Sequence, residues 1–111
     1  MKEKIDSIDW QSITLEMHEK GYAIVPKLLS NEQCNELISG YNTQQSYRKT
    51  VVMERYRFGL GEYKYFKYPL PNLINSIRES VYPKLAPITN AWMKALNIAT
   101  TFPDTHQQLL E

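Results

Sequence analysis

A chain of 111 residues is one domain or less, and 42% apolar with 12% aromatic side chains gives it the material for a core. Thirteen basic against twelve acidic residues leave a formal charge of +1, so bulk charge names no partner. No apolar run approaches the ~20 residues of a membrane span, the opening Met1-Lys-Glu-Lys-Ile-Asp lacks a signal-peptide core, and the few glycines and prolines exclude collagen-like and low-complexity classes. The single cysteine, Cys34, has no partner for an internal disulfide, which predicts a reducing cytoplasm as the protein's home.

The first predicted element is a helix capped by Asp6 or Asp9, with Trp10, Ile13 and Met17 on one face and Gly21 as its stop. Tyr22-Ala-Ile-Val25, closed by Pro26, is too brief for a helix and reads as a buried strand. Ser30-Asn-Glu-Gln33 is a capping box opening a helix whose stripe is Cys34, Leu37, Ile38 and Tyr41. Asn42 to Ser46 is polar and reads as a loop. From Arg48 to Tyr68 the period changes to two, and Gly59-Leu60-Gly61 has the length and chemistry of a three-residue hairpin loop. Tyr68-Pro-Leu-Pro71 ends the second strand. A helix then starts at Pro71 with Leu73, Ile74, Ile77 and Val81 inward, and Pro83 and Pro87 are expected to break or kink it. A second helical stretch carries Ile88, Trp92 and Leu96. Thr105-His-Gln-Gln108 is another capping box, followed by Leu109-Leu110 and then Glu111, which gives the expectation of a sequence cut short inside a helix. These elements make an α+β fold, mostly helical, with a short strand and one β-hairpin, treated as a single region over residues 1–111.

Charge concentrates in the hairpin. Residues 48–67 hold six basic side chains against two acidic ones, a net +4, while the rest of the chain is net negative. With a loop at 59–61 and no bulge, Arg57 lies opposite Tyr63 and Arg55 opposite Tyr65, all on one face. The other face then carries Tyr56, Phe58 and Phe66, with Glu54, Glu62 and Lys64 among them. Three uses fit an Arg/Tyr face: tyrosines lying over arginine stems on an exposed hairpin, the wall of a cleft for a small anion, or a surface for nucleic-acid phosphates and bases. Arg55, Arg57, Tyr63 and Tyr65 are therefore the candidate ligand-facing residues.

The remaining chemistry is sparse. His18 sits late in the first helix, where its neighbours Glu19 and Lys20 do not form a ligand pair, and Asp104, two residues before His106, is better used as a helix cap than as half of a metal pair. Cys34 falls on the apolar stripe and is expected to pack as a small apolar residue. Gly59-Leu-Gly61 is no phosphate loop and no serine sits in a nucleophile elbow, so no catalytic and no metal-binding residues are assigned.

The run Arg55-Tyr-Arg-Phe-Gly-Leu-Gly-Glu-Tyr-Lys-Tyr-Phe66, with Tyr68-Pro-Leu-Pro71, Val81-Tyr-Pro-Lys-Leu-Ala-Pro87 and Asn90-Ala-Trp92, resembles a bacterial family of 2-oxoglutarate/Fe(II)-dependent oxygenases described as acting on damaged, alkylated DNA. Gly21-Tyr-Ala-Ile-Val25, Leu28-Leu-Ser-Asn-Glu-Gln-Cys34 and Phe102-Pro103 extend the resemblance over nearly all of the chain. It implies a double-stranded β-helix (jelly-roll) oxidoreductase using Fe(II) and 2-oxoglutarate, with iron held by a His-X-Asp and a distant histidine. His18 is followed at the second position by Lys20 and His106 by Gln108, so neither fits. An eight-stranded jelly roll also needs on the order of 80 more residues. The resemblance therefore implies an N-terminal region, inactive and cofactor-free alone, whose helix faces seat a missing jelly roll or self-associate. The alternative is a stand-alone module that binds nucleic acid or protein through hairpin 48–67. DNA is a possible partner in both; a membrane is not.

Overall fold

The computed structural model describes residues 1–57 and 59–111, with the side chains of Gln44, Arg55 and Tyr56 outside the description. In chain order the elements are helices α1 (Lys2–Asp6), α2 (Trp10–Lys20) and α3 (Asn31–Gly40), strands β1 (Tyr47–Val52) and β2 (Glu62–Phe66), then helices α4 (Asn72–Ala95) and α5 (His106–Leu110). The fold is α+β and mostly helical, with one two-stranded antiparallel hairpin among the described residues. None of the described helices is long and apolar enough to cross a membrane.

The chain divides into two compact units, one of residues 1–28 and 72–111, the other of residues 29–71. In the first, α4 is the axis against which α1, α2 and α5 pack. Ile5 of α1 is fully buried, and Ala86 and Ile88 of α4 are nearly so. The local signals act as read. Asp9 caps α2 by accepting from the Ser12 N–H and hydroxyl, and Gly21 ends it in the left-handed conformation (φ 80°) with its N–H on the Met17 carbonyl. Asp6 is no cap. It closes the separate short α1 and pairs with Lys2 at 2.7 Å and Lys84 at 3.7 Å.

Several expectations fail for physical reasons. Tyr22–Val25 forms no strand: it has no pairing partner among the described residues, and Tyr22 and Ile24 are exposed. Pro83 and Pro87 do not break α4, which runs through both for 24 residues. An internal proline leaves the carbonyl four residues back without its helical donor. Here those carbonyls belong to Glu79 and Pro83, and Glu79, Pro83 and Pro87 are all exposed, so the lost donors fall on the solvent side of the helix, where water can replace them, while the buried Ser80, Ala86 and Ile88 lie elsewhere on it. Cys34 is exposed rather than packed. Only Leu37 and Tyr41 of its stripe are half-buried, and Ile38 is exposed.

In the second unit the Ser30/Gln33 capping box forms with both of its bonds, at 3.1 and 2.9 Å. The hairpin pairs Tyr47 with Phe66, Lys49 with Tyr65, Thr50 with Lys64, Val51 with Tyr63 and Val52 with Glu62, with an irregularity between Tyr47 and Lys49 that sets Arg48 apart. The expected loop at 59–61 is instead a long one. It begins with a 3-10 turn at Met53–Tyr56, holds Arg57 in the left-handed region (φ 61°), and is closed by the Met53 N–H on the Gly61 carbonyl at 2.8 Å. This register sets a β-branched valine against Tyr63 and an aromatic pair at the far end. Such cross-strand contacts stabilise by about 0.2–1 kcal/mol each.

Candidate functional site

Alternation along the hairpin sorts its side chains into two faces. Tyr47, Glu62, Lys64 and Phe66 share one, and their chemistry is internal. Tyr47 stacks on Phe66 at 5.1 Å between centroids. Lys64 Nζ donates to the Tyr41 carbonyl at 2.6 Å and lies 4.0 Å from the Tyr41 ring centroid. A cation at that carbonyl, just past the last residue of α3, also meets the negative end of the helix dipole. The Tyr41 hydroxyl donates to Glu62 Oε1 at 2.9 Å. Partial burial, and then the hydrogen bond to and charge of Glu62, push the Tyr41 phenol above its ordinary value.

The second face carries Lys49, Val51, Tyr63 and Tyr65. Tyr63 and Tyr65 are each 44% exposed, and their rings meet edge-to-face at 5.6 Å. Arg48, displaced by the strand irregularity, lays its guanidinium 5.3 Å from the Tyr65 ring centroid. An open depression of about 230 Å³ along β1 is lined by Arg48 and Lys49 together with Tyr47, Thr50 and Lys64 of the first face. Of the four candidate residues, the structure brings Tyr63 and Tyr65 together. The other two are not their cross-strand partners: Arg57 ends the loop turn, and the backbone of Arg55 lies within that turn. The side chain of Arg55 is outside the described residues, as is Phe58, which was expected on the opposite face. The cations beside the tyrosines are Arg48 and Lys49, missed because a three-residue loop was assumed. The Val51-Val52 pair, better suited to a ladder than Met53 to Arg57, was the signal that could have located them.

Neither histidine is part of a metal-type cluster, and no group of three metal-capable side chains occurs among the described residues. His18 accepts at Nδ1 from the Trp92 indole at 2.7 Å, which joins α2 to α4. His106 Nε2 lies 3.0 Å from the Arg78 guanidinium, which can only donate, and the His106 ring meets Tyr82 edge-on. The residues present therefore do not fit an iron triad. Asp104 does not cap α5; Thr105 does, in a capping box with Gln108.

Arg78, Tyr82, Ala86 and Asn90, four apart on α4, instead form a clasp for the returning chain. The Asn90 amide donates to the Phe102 carbonyl at 3.0 Å and accepts the Phe102 N–H at 2.7 Å. The Tyr82 hydroxyl donates to the Pro103 carbonyl at 2.8 Å. Ala86, buried and small, lies between them in the row.

The comparisons with known proteins bear on this same region. Residues 61–111 match a family model, Oxygenase-NA, described as an oxygenase catalysing oxidative methylation of damaged DNA. The match covers just under half of the chain, less than the resemblance quoted above. It includes β2, α4, the clasp and α5, and leaves out β1. No curated protein and no solved structure gave a match. Over residues 61–111, the chain is similar in sequence to this oxygenase family.

Proposed function

We propose that this chain is the N-terminal part of a 2-oxoglutarate/Fe(II)-dependent oxygenase acting on damaged DNA, and that alone it is not catalytically competent. The family match over residues 61–111 carries the reading. In the complete enzyme, iron and 2-oxoglutarate would supply the oxidising power. The ligands would come from a jelly roll outside these residues, since the chain has no His-X-Asp and both of its histidines are engaged in helix packing. What this chain contributes is support: a clasped helical unit and a hairpin on which Tyr63 and Tyr65 are partly exposed. Leu15, Leu96 and Leu110, each more than 60% exposed, are suited to seating the jelly roll or a second copy of the chain. A reduced, exposed Cys34 suits the cytoplasm.

The test is iron-dependent conversion of 2-oxoglutarate to succinate. The 111-residue chain is expected to show none, and a longer product of the same reading frame is expected to show turnover. Turnover by the 111-residue chain alone would contradict the proposal.

A further inference from the structure

We infer that the exposed hairpin face is a binding surface for single-stranded DNA, in which Arg48 and Lys49 meet phosphates and Tyr63 and Tyr65 stack bases. The inference rests on the oxygenase reading only for the choice of DNA as ligand; the surface itself follows from the hairpin.

The two tyrosines offer exposed rings side by side. The register sets Lys49 opposite Tyr65, and the strand irregularity brings Arg48 over the same ring. Both cations therefore border the aromatic surface. Of the two acidic residues in this basic segment, Glu62 points to the opposite face, where it is bonded by Tyr41, and Glu54 lies in the loop turn. The net +4 of residues 48–67 is complementary to a polyanion. Bases in a duplex are stacked on one another and cannot use tyrosine rings, whereas a single strand presents every base face. The arrangement thus selects an unpaired strand without reading its sequence.

The test is fluorescence anisotropy of a labelled oligothymidylate of about a dozen nucleotides with the full 111-residue chain, without iron or 2-oxoglutarate. Two phosphate contacts predict a log–log salt slope near about −1.4. Arg48→Ala and Lys49→Ala should each weaken binding and reduce that slope by about 0.7. Tyr63→Leu and Tyr65→Leu should each weaken binding about tenfold, the scale of one stacked base, with the slope unchanged. Tyr65→Phe, which keeps the ring and the hairpin, should retain binding, as should Lys94→Ala on α4. Absence of binding at about 50 mM salt would overturn the inference. So would equal affinity for the duplex, or a loss with Lys94→Ala matching that with Arg48→Ala. Failure here leaves the succinate assay of the longer protein untouched, so the two readings fail separately.

Discussion

Asn90 sits where four-residue spacing aligns it with Arg78, Tyr82 and Ala86, and its amide satisfies both backbone groups of Phe102. An amide can give and accept in this way; neither a carboxylate nor an alanine can. Asn90→Ala is expected to lower stability by about 1–3 kcal/mol, because a part-buried N–H and carbonyl lose their partners. Asn90→Asp keeps the acceptor for the Phe102 N–H but sets a charge against the Phe102 carbonyl, so it should not restore the wild-type value. Thermal or urea unfolding of the two variants checks both. At this scale the caps were legible in the sequence: Asp9, Gly21, Ser30 with Gln33, and Thr105 with Gln108 all act on backbone within four residues. The clasp was not, because Asn90 meets Phe102 twelve residues away and Arg78 meets His106 twenty-eight away. No local pattern records such pairings.

Among the elements, α2 tests how far a cap sustains a short helix. The hydrogen bonds from Ser12 hold the Asp9 carboxyl below the ordinary aspartate range. A carboxylate lowered in this way stabilises the folded state above its unfolded pKa, and that contribution is lost as pH falls through the folded value. Asp9→Ala should therefore lower the melting temperature at pH 7. The gap from wild type should close as pH drops below about 4. A gap that stays constant to acid pH would show that the charge is not what caps the helix. The hairpin and α4 mark where element-level reading stopped. Gly59-Leu60-Gly61 suits a tight loop, yet the pairing of Val51 with Tyr63 and of Tyr47 with Phe66 outweighs it and lengthens the loop. Propensity likewise argued against a helix through Pro83 and Pro87. Both lie at exposed positions, which spares the buried face of α4. In each case packing decided, and packing is not local.

For the molecule as a whole, the notable quantity is how little is buried. Among the described residues only Ile5, Ala86 and Ile88 are buried apolar side chains, whereas Leu15, Ile24, Ile38, Leu60, Leu96 and Leu110 are each more than 60% exposed. Fully burying one large aliphatic side chain contributes about 1.5–3 kcal/mol, so these exposed residues represent stabilisation that a further surface could supply. The α+β class and the helical majority were legible from periodicity alone. The thin core was not, since the stripes of α2 and α3 look core-facing in sequence whether or not anything covers them. The central claim, that these residues support an iron site located elsewhere, is tested most directly by reading the source gene past codon 111. The account predicts that the frame continues into a His-X-Asp and a later histidine on a run of short strands. A stop codon directly after Glu111 would contradict it.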